Sequence, residues 1–402
     1  MTDFASESIT TINRAELVKA LTVLNRVVEK RNTIPILSFI RFDGDKKGVT
    51  ISGTDLDMET KIRLLSAKSK GVFAFTVNCA KLLDIARKSK ADDVAIFLAT
   101  DISKIKLLFG RLEMTMDSLP CNDYPALAPG KVKHSFSIEA PLLHDMLLRT
   151  SPCISMEETR YYLNGCYFTR PDGRSKKFRI VATDGHRLGL HDIAVPSGAE
   201  NWPNSIIPSK TIHSVMEACK DFKGEMMAVS WSKHETASQP RVTFKIGNRT
   251  ITTKVIDGVF PDYMRVIPTG NDKTLCLNRA EMISAINEVT LILPASMRKV
   301  KMVLNGKTTF VASNPDTGTA KLSIDGELVE PDGKGGTQPA QLDIGFNASY
   351  LLSIMDSLRS DAVLIRLADP GSPTLFEGVD KADKGVLFVQ MPMLAFETIS
   401  GA

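Results

Sequence analysis

The 402-residue chain has little that would commit it to chemistry. Its six cysteines, Cys79, Cys121, Cys153, Cys166, Cys219 and Cys276, include no CxxC pair, so zinc-ribbon and thioredoxin-type sites lack their ligands. Scattered reduced thiols in core positions are what this pattern predicts. No apolar run approaches the roughly 18 residues of a membrane-spanning helix. Met1 to Thr11 is polar and includes Asp3 and Glu7, lacking the basic and then apolar pattern of a signal peptide; a cytoplasmic location is expected. A strong charge bias is missing too: 50 Lys+Arg against 46 Asp+Glu leave a net +4. That excludes a histone-like grip on phosphates by sheer positive charge, though not a looser contact with nucleic acid.

Catalytic signatures are equally sparse. Neither HExxH nor GxSxG occurs. Asn305-Gly306-Lys307-Thr308 ends like a phosphate-binding loop, yet the first glycine of that motif would fall on Lys301, and the segment joins two strand-like stretches. Gly333-Lys334-Gly335-Gly336 sits in a Pro/Gly-rich stretch from Glu327 to Gln341 and reads as a loop. One constellation resembles acid–base chemistry: Thr183-Asp184-Gly185-His186-Arg187-Leu188, where Asp184 would orient His186. A tight turn at Asp184-Gly185 accounts for the same residues, and the rim of a peptide site is a third reading. No catalytic residue, metal-ligand set or cofactor is expected.

What the sequence does have is a period. Six times a short β-like stretch runs into a helix-like one: TTINRAEL at Asn13, FTVNCAKL at Asn78, FSIEAPLL at Glu139, SIIPSKTI at Pro208, LCLNRAEM at Asn278 and GFNASYLL at Asn347. The intervals are 65, 61, 69, 70 and 69 residues. Four junctions place Asn where a helix N-cap belongs, and NRAE puts Glu16 and Glu281 at the third helical position, the capping-box arrangement. Helical apolar spacing follows, as in Leu17, Leu21, Leu24 and Val28, or Leu351, Ile354, Met355 and Leu358.

Between the helices the pattern becomes that of strands: 36–42, 49–55 and 58–65 after the first, 161–168, 178–184 and 186–195 after the third, 362–368, 374–379 and 385–393 after the sixth. Each unit is one helix and about four strands, too few helices for parallel crossovers. Alternation in Glu113-Met114-Thr115-Met116-Asp117 also suits an antiparallel sheet with one wet face. One module leaves a sheet face uncovered. Pairing modules two by two gives an α+β chain of three domains, each of about 134 residues, at 1–132, 133–269 and 270–402. The joins are expected in Ala128-Pro129-Gly130 and Pro268-Thr269-Gly270.

Several separated strings resemble one family. They are Arg160-Tyr161-Tyr162-Leu163-Asn164-Gly165, Ala182-Thr183-Asp184-Gly185-His186-Arg187-Leu188, Asp257-Gly258-Val259-Phe260-Pro261-Asp262-Tyr263 with Arg265-Val266, and Met391-Pro392-Met393. Arg31 with Thr33-Ile34-Pro35-Ile36-Leu37, Gly53-Thr54-Asp55-Leu56-Asp57-Met58-Glu59, Asn314-Pro315 and Gly345-Phe346-Asn347 with Ser349-Tyr350 extend the match in order along the chain. The set is similar to the bacterial sliding clamps, the beta subunits of replicative DNA polymerase III. The resemblance implies a DNA-clamp fold and a head-to-tail homodimeric ring around duplex DNA, with helices lining the hole, and a non-catalytic processivity factor. A repeat-built protein-interaction scaffold that never encircles DNA is the alternative.

The resemblance also implies sites. For DNA it points to Arg31 and Arg298, and to Tyr161 and Tyr162 for an emerging single strand, where aromatic stacking tolerates any sequence. Cations of the first two helices, Arg14, Lys19, Lys81 and Arg87, are the further candidates, since sliding needs attraction without base readout. A pocket for short extended Gln/Leu/Phe-type peptides would use Leu163, Thr183, Gly185, His186, Arg187 and Leu188. Pro261, Arg265, Val266, Val389, Met391, Pro392 and Met393 would join them, with Asn347 and Tyr350 in a shallower arm. The partners implied are the polymerase alpha subunit, the clamp loader, repair polymerases, mismatch-repair proteins and ligase. Met114 and Met116 would pack on Leu291 and Ile292 of the partner protomer. Three departures stand out: residues 394–402 replace the usual Arg-Leu ending, the acidic run after Asn314-Pro315 is mostly lost, and Glu113 replaces a usual basic residue. Glu113 facing Lys321 would then partly invert the charges of that contact.

Overall fold

The computed structural model describes residues 4–30, 33–127, 130–171, 176–233, 239–294, 298–329 and 342–393. Six α-helices occur among them: α1 Arg14–Leu24, α2 Cys79–Lys88, α3 Ala140–Thr150, α4 Ser209–Asp221, α5 Arg279–Val289 and α6 Ala348–Ser357. Each begins directly after the expected junction residue. Asn13, Asn78 and Asn278 accept the backbone N–H three residues on, at 3.2, 3.0 and 3.0 Å, and Asn347 accepts from Ser349 and Tyr350. The return half of the first capping box differs from expectation. Glu16 accepts from the Leu65 and Ser66 N–H groups, and the Ser66 hydroxyl takes the Asn13 N–H at 3.1 Å. A distant strand end thus completes the cap.

Every strand pairing among the described residues is antiparallel, in four sheets. The modules exchange their first strands in pairs. Thr10–Asn13 joins the sheet that follows α2, while Phe73–Asn78 joins the sheet that follows α1. Lys131–Glu139 and Ser205–Pro208 trade places in the same way, as do Lys273–Asn278 and Leu342–Asn347. The first and third exchanges each accompany a packed helix pair, α1 with α2 and α5 with α6.

Two further ladders join different module pairs. Met58–Leu64 pairs with Arg249–Lys254 inside an eight-stranded sheet, and Arg187–Ala194 pairs with Val386–Gln390 inside a nine-stranded one. The chain therefore forms two compact units: 1–144 with 196–202 and 210–255, and 145–195 with 203–209 and 256–402. In the first, Leu17, Leu21 and Leu24 of α1 and Leu82, Leu83 and Ala86 of α2 are buried with Phe42, Phe75 and Ile96 from the sheets. In the second, α5 and α6 bury Met282, Ile286, Leu351 and Ile354.

Arg14 and Arg279, the first residues of α1 and α5, make equivalent bonds. Arg14 donates to the carbonyls of Ala91 (2.6 Å) and Ala86 (3.3 Å), and Arg279 to those of Ser360 (2.9 Å) and Met355 (3.2 Å). Each staples the end of the partner helix, α2 or α6.

Some local expectations shift. Residues 36–38 belong to a 3-10 turn, Pro35–Ser38, because Pro35 presets its first φ, and the strand starts at Phe39. Tyr161–Leu163 likewise lies in the 3-10 segment Glu158–Leu163, closed by Asn164 N–H on the Tyr161 carbonyl, and the strand starts at Gly165. Glu327–Val329, expected in a loop, is strand paired with Lys273–Asn278; residues 330–341, with the Gly333–Gly336 motif, lie outside the described residues. Asn305–Lys307 joins two strands, as its poor match to a phosphate loop implied.

Candidate functional site

A densely hydrogen-bonded surface turn lies in the second unit, between the strands Lys177–Thr183 and Arg187–Ala194. Thr183 Oγ1 donates to the Arg187 carbonyl at 2.7 Å and accepts the Gly185 N–H at 3.1 Å. Asp184 Oδ1 accepts the N–H groups of His186 and Arg187, each at 2.9 Å, and its other oxygen takes Arg187 Nε at 3.0 Å. Glycine suits this position. Its φ of 88° is the left-handed region, and the Arg160 guanidinium lies where a Cβ would stand. This wiring overturns the acid–base reading: Asp184 holds the His186 backbone, while the imidazole stacks on Tyr350 at 6.4 Å.

Arg187 binds the second unit together at this point. Its guanidinium lies 4.2 Å from the Tyr350 ring centre, donates to Ser353 Oγ at 2.7 Å and reaches the Pro152 carbonyl. Burial raises the Tyr350 hydroxyl pKa and pushes the Cys153 thiol, behind Gly189, up to about 12. That thiol stays protonated and inert.

Beside the turn opens a cavity of about 270 Å³. Leu163, Leu188, Val266, Val389 and Met391 give it apolar walls, and Thr183, Gly185, His186, Arg187 and Pro261 line the rest. All ten were expected. Arg160, Tyr162 and Tyr263 also line it and were not assigned there, although each sits inside a quoted string. Tyr162 was expected at DNA, and Tyr263 carried no assigned role. The cavity rests on a cluster that includes Leu163, Val181, Leu190, Phe260 and Leu375. An N–H···O bond from Met391 to His186 (2.8 Å) fixes the C-terminal strand to the turn.

The other expected pocket residues stand around it. Arg265 is 86% exposed and pairs with Asp262 at 2.9 Å, so it points to solvent rather than into the cavity. Tyr350 touches the turn through His186 and Arg187. Asn347 caps α6 and its carbonyl accepts from Gln390 at 3.2 Å, while Met393 N–H donates to the Gly345 carbonyl at 2.8 Å. Pro392 lies between these contacts, half-buried. Residues 394–402 lie outside the described residues.

The candidate DNA residues divide. Tyr161 is 53% exposed and meets Tyr162 edge-on at 5.8 Å. Lys19, Lys81 and Arg298 are exposed; Arg87 is exposed and donates to Thr22 Oγ1 at 3.1 Å. Arg14 differs from the expectation of a free helix cation, because its guanidinium is turned inward onto the Ala86 and Ala91 carbonyls. Arg31 lies outside the described residues. Met114 and Met116 stand half-buried on Leu112–Asp117, the end strand of one four-stranded sheet. Leu291, 82% exposed, and Ile292 sit in the turn after α5, tied by Thr317 Oγ1 and Asn314 Nδ2 to the Ile292 carbonyl. Glu113 pairs loosely with Lys106 of its own sheet at 3.9 Å.

Three family models described as the N-terminal, central and C-terminal domains of the DNA polymerase III beta subunit match residues 9–128, 137–262 and 264–394. A beta sliding clamp of Caulobacter vibrioides is 37% identical over 386 residues, covering 95% of this chain and 99% of the relative. One from Pseudomonas aeruginosa is 32% identical over 384 residues, covering 95% and 99%. Among solved structures, a sliding clamp of Bartonella birtlesii bound to griselimycin superposes with a TM-score of 0.86 at 34% identity, over 96% of this chain and 100% of that one. A polymerase sliding clamp of Caulobacter crescentus gives 0.85 at 36% identity, over 96% and 100%.

Proposed function

The chain belongs to the DNA polymerase III beta subunit family, and from that premise we propose that the cavity beside Thr183–Arg187 docks short extended peptides of its replication partners. The chain itself is a DNA sliding clamp: a non-catalytic processivity factor that encircles duplex DNA and tethers the polymerase. The observation that carries the docking proposal is the cavity itself. Five apolar side chains wall a space sized for Leu and Phe anchors, while His186, Arg187 and Arg160 offer donors to a peptide backbone. Polymerase alpha subunit, clamp loader, repair polymerases, mismatch-repair proteins and ligase are the proposed bearers of such peptides.

Domains of 1–132, 133–269 and 270–402 suit the three exchanged module pairs. Arg31, Arg298, Lys19, Lys81 and Arg87 would attract phosphates, and Tyr161 with Tyr162 would stack on a single strand. The end strands Leu112–Asp117 and Gly318–Ile324 would meet between protomers, with Met114 and Met116 on Leu291 and Ile292 of the partner subunit. Exposed Glu113 and Lys321 would approach across that contact, and a cytoplasmic location fits a replication protein. If Glu113→Lys leaves the dimer dissociation constant unchanged, the charge contribution is absent.

The docking assignment is tested with a labelled peptide of the Gln/Leu/Phe pattern. His186→Ala should weaken binding without loss of fold; unchanged affinity would remove the turn from the site. Encirclement is tested by loading the protein on circular plasmid with its clamp loader. Retention should vanish once the DNA is linearised, whereas equal release from circular and linear DNA would favour the scaffold reading.

A further inference from the structure

We propose that Arg179 is a positioning residue for the docking cavity, acting through Tyr263, an inference that rests on reading that cavity as the peptide site. Arg179 is not among the lining residues. It stands on the strand Lys177–Thr183 directly opposite Asp192, its register partner on the next strand. Both are buried. Nε and Nη2 form a fork on the two Asp192 oxygens at 2.5 and 2.7 Å, and Lys177 adds a third contact to Asp192 at 3.1 Å. Such a bidentate pair fixes the guanidinium plane as well as its position.

The remaining nitrogen, Nη1, is thereby aimed at the loop that walls the cavity. It donates to Tyr263 Oη at 3.4 Å and to Met264 Sδ at 3.2 Å, and the guanidinium lies 5.7 Å from the Tyr263 ring centre. Tyr263 opens the four-residue 3-10 turn Tyr263–Val266, which carries Val266 to the cavity. That turn has no side-chain cap at its start, and a single 3-10 turn holds its own shape poorly. Besides the local Arg265–Asp262 pair, its anchors are edge contacts of Tyr263 with Phe260 at 6.2 Å and Tyr167 at 6.4 Å, and the Arg179 bonds. The aromatic contacts place the ring, and Arg179 fixes its outer end. A wall held before the peptide arrives spares the complex the entropy of ordering it, so loss of the link should appear as faster peptide release.

The experiment measures equilibrium and dissociation of a labelled Gln/Leu/Phe-pattern peptide on the full-length dimer. Tyr263→Phe keeps the ring and removes Oη; Arg179→Lys keeps the charge beside Asp192 and removes the fork. Each is expected to weaken binding by roughly fivefold through dissociation, the scale of one charge-assisted bond partly screened. Tyr263→Phe should leave the melting midpoint unchanged, which a merely structural role would not. The double variant should bind no worse than the weaker single one, because both break the same link. Wild-type release rates in both variants, or additive losses, would overturn the role of Arg179 alone. If the wild-type protein does not bind the peptide, the cavity reading falls and this inference with it. Should Arg179→Lys misfold, Tyr263→Phe decides the matter.

Discussion

In the turn Thr54-Asp55-Leu56-Asp57-Met58 of the first unit, the threonine hydroxyl donates to the Met58 carbonyl at 2.8 Å and accepts the Leu56 N–H at 3.1 Å. In Thr183-Asp184-Gly185-His186-Arg187 of the second unit the matching distances are 2.7 and 3.1 Å. Asp55 Oδ1 accepts the N–H groups of Asp57 and Met58, two and three residues on, at 3.1 and 2.7 Å, as Asp184 accepts those of His186 and Arg187 at 2.9 Å each. Leu56 has a φ of 79° and Gly185 one of 88°. Even the cation is matched in role. Lys210 of α4 bridges Asp55 to the Val27 carbonyl just past α1, while Arg187 bridges Asp184 to the Pro152 carbonyl just past α3. The wiring of the two turns is one design; the difference is where the cation originates and what occupies the left-handed position. With its own arginine and a glycine, the second turn leaves room for Arg160 and a cavity. With a leucine and a borrowed lysine, the first becomes a strap.

The largest test makes the second turn resemble the first. Gly185→Leu should fold, with a backbone cost of about 1–2 kcal/mol, since Leu56 tolerates the same φ. Its side chain would collide with Arg160 and abolish peptide binding in a titration that the wild-type protein saturates. Retained binding would mean that the glycine does not open the site.

A second test uses the strand behind each turn. Four residues after Arg187 stands His191, buried beside Asp145, Arg149, Asp192 and Asp383; four after Met58 stands the apolar Ile62. Burial, the main cause, lowers the His191 pKa from 6.5 to about 4, with Arg149 lowering it further and the carboxylates opposing. A histidine held neutral in the fold contributes stability that is complete above its unfolded value. That contribution is lost as pH falls from about 6.5 towards 4, on the order of 3 kcal/mol in all. Urea midpoints of the wild type should therefore drop between pH 7 and 4.5 more than those of His191→Gln. Equal slopes would show that the imidazole is not the titrating group.

Lys210→Ala removes the borrowed cation. Because the lysine is partly exposed, a loss of about 1 kcal/mol is expected, read by thermal melting, with peptide affinity untouched. The smallest effect is a gain: Leu56→Gly should relieve left-handed strain and stabilise the first unit by up to about 1 kcal/mol, offset in part by the freer unfolded chain. A net loss there would mean that the Leu56 side chain packs usefully.

Much of this was legible along the chain. Asparagine caps marked four of the six helices and apolar stripes the rest, because both signals are local. The turn at Asp184-Gly185 was legible for the same reason. What the chain order hides is exchange: nothing within Thr10–Asn13 says that its partner is Asp93–Leu98 rather than the strands that follow α1. Glu16 was read as half of a capping box, but its partners are some 50 residues away. Arg14 looked like any solvated helix cation until the carbonyls past α2 came within reach. In the pocket, the apolar wall was recoverable from motif strings, whereas the bond from Arg179 to the Tyr263 hydroxyl comes from a cross-strand Arg179–Asp192 pair that no string contains.

The staples at Arg14 and Arg279 have an electrostatic consequence. The last carbonyls of a helix carry about half a negative charge, and such an end repels a polyanion. Each arginine sets a full positive charge against the C-terminal carbonyls of α2 or α6, so the field there is cancelled or reversed. A cation so placed would lower the barrier to any phosphate brought near that end. A clamp of net charge only +4 would gain from smoothing its field in this way, since local wells and bumps, more than total charge, set how freely DNA slides.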